Sequence, residues 1–164
     1  MLLHAELVKA IKSSTLENVQ HVIKNRNNIK DIIDIKYKGK TLLQLVARYG
    51  NVDMFTLLLS YNVNLSEASD TCGRLCWHYA ARYNKIDILE VLLTEDPGNI
   101  EATDNFNQTP AYYAAQVSDK YQEPYNFLLQ NSAEVKSKIT IKNIEGWSGK
   151  PYSPESIYKK KTKR

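Results

Sequence analysis

Apolar residues recur at helical spacing in short blocks along this chain. Leu42, Leu45 and Val46 form one such block, which ends at a break formed by Gly50 and Asn51. A second block follows, in which apolar residues stand at positions i, i+3, i+6 and i+7: Val52, Phe55, Leu58 and Leu59. The pattern predicts two short helices joined by a tight turn. Helices of about two turns are marginal in isolation, so they need neighbours that bury their apolar faces.

The same two-helix pattern repeats along the chain. Residues 39–50 align with residues 73–84 at an offset of 34, and a third copy starts at Asn107, another 34 residues on. The second half of the third copy, around Leu128, is displaced by 36, which places a two-residue insertion within 118–123. Stacked copies bury one another's apolar faces, so the pattern predicts a helical-repeat array.

The third copy carries the most informative motif. Residues 109–114 read Thr-Pro-Ala-Tyr-Tyr-Ala, and residues 41–46 and 75–80 are degenerate versions of the same motif. The motif resembles the T-P-L-H-x-A signature of the ankyrin repeat, a unit of about 33 residues. The resemblance implies an all-α ankyrin-repeat solenoid, in which helix-turn-helix units stack and short β-hairpin-like loops connect them.

Five units follow from the repeat register. They are a divergent N-terminal capping repeat at 1–35, ankyrin repeats at 36–70 and 71–104, an ankyrin repeat with the insertion at 105–137, and a degenerate C-terminal partial repeat with a basic tail at 138–164.

Composition narrows the class of protein. Hydrophobic residues make up 43% of the chain and charged residues 24%, which is ordinary globular usage. No apolar run approaches the roughly 20 residues that span a bilayer, and we identify no secretory signal. The two cysteines are too few for a disulfide framework. We therefore expect a monomeric, intracellular protein that does not bind membranes. We expect it in the cytoplasm, or in the nucleus if its tail acts as a targeting signal.

Cys72, Cys76 and His78 are close enough in sequence to suggest a metal site. Structural zinc takes four ligands, and no second ligand pair follows in the chain. His78 stands where the ankyrin signature has His, and the resemblance implies that it bonds neighbouring turns. We expect no metal and no cofactor.

Catalytic motifs are absent too. The chain has no Gly-rich phosphate loop and no nucleophile or metalloprotease motif. Asp53 and Asp87 recur at the repeat offset, which favours capping at helix starts over acid/base chemistry. We therefore expect a protein that is not an enzyme.

Arg-Tyr pairs end the first helix of two successive repeats, at Arg48-Tyr49 and Arg82-Tyr83. In the ankyrin family this position lines the concave groove together with the hairpin tips. Arg and Tyr are enriched at binding hot spots. The predicted partner-binding residues are Tyr37, Lys38, Lys40, Arg48, Tyr49, Arg74, Arg82, Tyr83, Asn105, Phe106 and Gln108. The alternative is that the Arg-Tyr pairs are amphipathic rim residues that cover the helix ends.

The predicted function is a scaffold, adaptor or inhibitor that binds a protein partner in the groove. The basic groove residues favour a partner with an acidic or phosphorylated surface. We expect the Arg-Tyr pairs to contribute little to stability. The chain is rich in Lys, Asn, Ile and Tyr, a composition typical of AT-rich genomes. Small ankyrin proteins from such genomes are often proteins of intracellular bacteria or viruses, so the resemblance also implies a host-directed role.

The tail concentrates the positive charge. Residues 150–164 carry six basic residues and one acid, whereas the preceding 149 residues hold 16 basic and 17 acidic residues. The basic run is formed by Lys159, Lys160, Lys161, Lys163 and Arg164. Such a run is typical of a nuclear-localisation or nucleic-acid patch, or of a disordered solubilising tail. The chain has no recognition helix with base-reading side chains, so we do not expect sequence-specific DNA binding.

Overall fold

The computed structural model describes residues 2–13, 15–24, 36–66, 68–117 and 122–132. These residues form eight α-helices and one short 3₁₀ helix, Pro97–Asn99. The α-helices are α1 (Leu2–Lys12), α2 (Leu16–Lys24), α3 (Leu42–Tyr49), α4 (Val52–Leu59), α5 (Cys76–Arg82), α6 (Ile86–Glu95), α7 (Pro110–Ala115) and α8 (Glu123–Asn131). In the described ranges the only β pairing is an isolated bridge between Tyr37 and Lys40. The predicted all-α solenoid is confirmed.

The helices pack in two parallel rows. The inner row consists of α1, α3, α5 and α7, and each of these helices packs on the next. The outer row consists of α2, α4, α6 and α8, again in series. Within the described ranges, no helix is long and apolar enough to cross a membrane.

The hydrophobic core repeats with the sequence register. Leu58, Leu92 and Leu128 follow one another at offsets of 34 and 36 in the outer row, and all three are fully buried. The first unit joins the same core through Leu7 and Ile11 of α1. Each repeat therefore covers the apolar face of the next, and the core runs through the whole stack.

Polar side chains determine where several helices begin. The hydroxyls of Thr41 and Thr109 accept backbone N–H groups at the starts of α3 and α7, and the side chain of Asn51 does so at the start of α4. The expectation that Asp53 and Asp87 cap their helices is wrong. Both lie exposed inside the first turn, where their charge faces the positive end of the helix dipole.

His78 links two consecutive repeats. Its Nδ1 accepts the backbone N–H of Leu75 at 3.0 Å, and its Nε2 lies 3.1 Å from the backbone oxygen of Gln108 in the next repeat. Because Nδ1 accepts, Nε2 must carry the proton and donate it to that carbonyl. Burial lowers the pKa of His78, although the Gln108 carbonyl and two nearby carboxylates act in the opposite direction. The ring is therefore a neutral hydrogen-bonding bridge.

Gln44 is the counterpart of His78 one repeat earlier, 34 positions before it. Its Oε1 accepts the backbone N–H of Thr41 at 2.9 Å, and its Nε2 donates to the backbone oxygen of Arg74. Arg74 itself precedes Gln108 by 34. Two different side chains therefore make equivalent bridges at equivalent positions.

Trp77 is fully buried, as its alignment with Leu43 predicts. Its indole Nε1 donates to the backbone oxygen of Asp96 at 3.2 Å, which satisfies the ring's one polar group. The core prediction for Trp77 is confirmed.

Candidate partner-binding surface

The first hairpin is a tight two-residue turn. Tyr37 and Lys40 exchange both backbone hydrogen bonds, at 2.7 and 3.1 Å, around Lys38 and Gly39. Both turn residues have positive φ, 50° and 76°, as a type I′ turn requires. Thr71 of the next hairpin donates its backbone N–H to the Gly39 carbonyl at 3.2 Å. The first two hairpins are therefore held side by side.

The second hairpin is built around the buried carboxylate of Asp70. It accepts the backbone N–H groups of Cys72 and Arg74, at 2.8 and 3.0 Å, and the hydroxyl of Tyr79 at 2.8 Å. Burial alone raises the pKa of Asp70, but these bonds and the Arg74 guanidinium outweigh it, so the pKa is lowered. The hairpin is thereby joined to α5.

The third hairpin repeats this construction 34 residues later. Asp104 accepts the backbone N–H groups of Phe106 and Gln108, both at 2.9 Å, and the hydroxyl of Tyr113 at 2.7 Å. Burial and the bond to Asp104 raise the pKa of Tyr113 to about 12. The backbone N–H of Asn105 donates to the Cys72 carbonyl at 2.9 Å, which connects the second and third hairpins.

Sequence reasoning missed the Asp-Tyr pairs. Asp70 and Asp104 are both buried, and each binds a tyrosine nine residues ahead. The recurrence of an Asp and a Tyr nine residues apart, in two successive repeats, was the available signal. The first hairpin lacks the pair, because Lys36 occupies the equivalent position.

Arg74 lies at the second hairpin, but its charge is balanced. Its Nη2 lies 2.7 Å from Oδ2 of Asp70, and its guanidinium lies 5.5 Å from the ring centroid of Tyr79. Burial lowers the pKa of Arg74, but the bond to Asp70 outweighs this and raises it. Of the basic residues predicted to bind a partner protein, Arg74 is therefore already paired with a carboxylate of this chain.

Arg48 is held between two tyrosine rings. Its guanidinium carbon lies 4.6 Å from the ring centroid of Tyr49 and 4.7 Å from that of Tyr83, in the next repeat. Its Nε is buried and makes no hydrogen bond within the described residues. The predicted Arg-Tyr pairs thus contact each other across repeats. Because cation–π contacts of this kind are worth about 0.5–1 kcal/mol each, we expect Arg48→Ala to cost some stability as well as binding.

Arg82 is the exposed counterpart of Arg48. Its guanidinium lies 5.7 Å from the ring centroid of Tyr113 and makes a long hydrogen bond of 3.4 Å to the side chain of Gln116. The next residue, Tyr83, stacks on Tyr79 with their ring centroids 6.4 Å apart. The arginines and tyrosines of α3, α5 and α7 therefore form a contiguous cluster.

We call α3, α5 and α7 with the three hairpins the inner face. Tyr37, Lys38 and Lys40 lie in its first hairpin, and Asn105, Phe106 and Gln108 in its third. Phe106 is the most conspicuous, because its side chain is 67% exposed at the hairpin tip. The predicted residues of the basic tail, Lys159 to Arg164, lie outside the described residues, as does the partial repeat at 138–164.

Charge is segregated between the two helix rows. The helices α3, α5 and α7 contain two arginines, Arg48 and Arg82, and no acidic residue. The helices α4, α6 and α8 contain no lysine or arginine, and their acidic residues are all exposed: Asp53, Asp87, Glu90, Glu95 and Glu123. The net charge of residues 1–149 is close to zero, yet α3, α5 and α7 are basic and α4, α6 and α8 are acidic.

Two residues of the suspected metal motif, Cys76 and His78, are buried, whereas Cys72 lies half-buried in the second hairpin. Cys76 is buried, and burial raises the pKa of its thiol, which disfavours the thiolate that binds metals. Both ring nitrogens of His78 are occupied by backbone groups. In the part of the chain that the structure describes, no three His, Cys, Asp or Glu side chains come together as a metal site.

Comparison with known proteins agrees with this architecture. The family model for ankyrin repeats matches residues 7–104 as three copies. No curated protein matches the chain. Beyond the matched range, α7 and α8 pack on α5 and α6 in the arrangement of the preceding helices.

Proposed function

The chain belongs to the ankyrin-repeat family, and we propose that it is a non-catalytic module that binds a partner protein on its inner face. Ankyrin repeats are protein-protein interaction modules. The finer proposal concerns the surface used and the chemistry of the partner. We propose that the partner presents an acidic surface to Arg48 and Arg82.

The segregation of charge between the helix rows carries this proposal. The helices α3, α5 and α7 offer arginine without any acidic residue, and the charged residues of α4, α6 and α8 are all acidic. An acidic partner is attracted to the inner face and repelled from the outer one, which orients its encounter with the protein. Exposed Phe106, at the third hairpin tip of the inner face, adds an apolar contact of the kind found at interface centres.

Affinity capture tests the proposal. The wild-type protein and the double variant Arg48→Ala/Arg82→Ala are used as baits in extract of the cells in which the protein acts. Loss of two hot-spot arginines should reduce retention of the partner at least thirtyfold, since each costs roughly 2 kcal/mol. A double variant that retains the partner at the wild-type level contradicts binding through the inner face.

The second candidate is association with nucleic acid or the nucleus through the basic tail. It is favoured by the charge of residues 150–164, six basic residues against one acid. A chain that ends at Ser153 separates the two candidates in the same capture experiment. Loss of the partner on truncation indicates the tail, and its retention indicates the inner face.

A further inference from the structure

Arg48 and Arg82 are positioned to bind an anion from outside the protein. Neither has an acidic partner among the residues that the structure describes, whereas Arg74 is paired with Asp70. The guanidinium of Arg48 is held against two rings, 4.6 Å from the centroid of Tyr49 and 4.7 Å from that of Tyr83, so less side-chain entropy is lost when it binds. A planar guanidinium fixed in this way matches a carboxylate, which accepts two parallel N–H bonds.

The two arginines are separated by one repeat. They lie 34 residues apart, near the ends of α3 and α5, and these two helices pack directly on each other. Helices in contact have axes about 8–10 Å apart. Two anions bound by these arginines are therefore expected to lie at about that distance.

We propose that Arg48 and Arg82 bind two carboxylates that lie seven residues apart on one face of a partner α-helix. Residues i and i+7 of a helix lie on the same face and are separated by about 10.5 Å along the axis. In an extended segment, side chains on the same face lie about 6.6 Å apart at i and i+2 and about 13 Å apart at i and i+4. Neither distance matches the spacing of about 8–10 Å between adjacent helices as well. This inference rests on the proposed function of the inner face, and it specifies the partner's shape and charge spacing.

Synthetic peptides test the spacing directly. The probe is a fluorescein-labelled, Ala/Gln-based helical peptide of about twenty residues that carries Glu at positions i and i+7. The control peptide has the same composition but carries Glu at i and i+9, on opposite faces of the helix. A third peptide keeps the i, i+7 spacing but contains prolines that prevent helix formation. Binding is measured by fluorescence anisotropy at low ionic strength.

The wild-type protein should bind the i, i+7 helix about fivefold more tightly than either control, because only that peptide engages both arginines. The preference should disappear in Arg48→Gln/Arg82→Gln. It should weaken in Arg48→Lys, which keeps the charge but loses the planar fork and the stacking. Lys24→Gln removes an exposed cation from the end of α2, in the outer row, and should leave the preference unchanged.

Two results overturn the inference. Equal binding of the i, i+7 and i, i+9 helices by the wild type rejects the spacing, and equal binding of the proline-containing peptide rejects the helical partner. If partner capture still depends on Arg48 and Arg82 in either case, the inner face remains the binding surface and only its proposed ligand is wrong.

Discussion

Gln44 and His78 occupy equivalent positions in consecutive repeats, and each joins the start of its own inner helix to the hairpin of the next repeat. Gln44 reaches the backbone oxygen of Arg74, and His78 reaches that of Gln108. In both cases the donor and the acceptor are 30 residues apart. The bridge thus tolerates two side chains, of which only the imidazole is titratable.

His78 should make the stability of the protein depend on pH. Its pKa is lowered from 6.5 by burial, so the unfolded state binds a proton that the folded state excludes. Stability should therefore decline as the pH falls below about 6.5, at no more than about 1.4 kcal/mol per pH unit for one group. His78→Gln, which copies Gln44, should remove this decline. Urea denaturation at several pH values between 7 and 5 measures it.

Two controls accompany the pH experiment. His4 and His21 remain in both proteins, so the difference isolates position 78. His78→Ala should lose about 1–3 kcal/mol even at pH 7, because the backbone groups of Leu75 and Gln108 lose their partner. If His78→Gln shows the same dependence on pH as the wild type, the imidazole is not the titrating group.

Trp77→Ala should destabilise the protein by about 3–5 kcal/mol, because the fully buried ring leaves a large cavity between repeats. Phe106→Ala is the matched control. It truncates an aromatic ring that is 67% exposed and should cost less than about 0.5 kcal/mol. Denaturant unfolding compares the two, and a loss below about 1 kcal/mol for Trp77→Ala contradicts the repeat register.

Asp70→Asn should cost about 1–3 kcal/mol, since the carboxylate accepts two backbone N–H groups and the Tyr79 hydroxyl and pairs with Arg74. Asp87→Asn, at an exposed position, should cost less than about 1 kcal/mol. Because the pKa of Asp70 is lowered from 3.8, its stabilisation is present above that pH and lost below it. Unfolding measured between pH 5 and 2 should therefore show a smaller acid loss in Asp70→Asn. Equal costs for both variants contradict the structural role of Asp70.

The repeat register was predictable because it depends on the spacing of apolar residues, which can be counted along the sequence. Leu58, Leu92 and Leu128 could be aligned without knowing any contact. The bond between Asp70 and Tyr79 could not be derived in this way, because it joins a hairpin to a helix whose relative placement depends on tertiary packing. The contact between Arg48 and Tyr83 likewise depends on how closely two repeats stack.

Removal of the tail should leave folding unchanged. The residues after Tyr158 show no apolar periodicity and are almost all basic, so they have little apolar surface to bury. A chain that ends at Ser153 is expected to keep its circular dichroism spectrum and its melting temperature. A marked drop in melting temperature would show that Ile157 and Tyr158 stabilise the end of the stack.

Site-specific photo-cross-linking tests the use of the inner face most directly. A photoreactive phenylalanine analogue replaces Phe106 at the third hairpin tip or Glu90 on the exposed side of α6. Both positions are exposed, so neither substitution should disturb the core. Irradiation with the partner bound should give a covalent adduct from position 106 and none from position 90. Adducts from position 90 alone would contradict binding through the inner face.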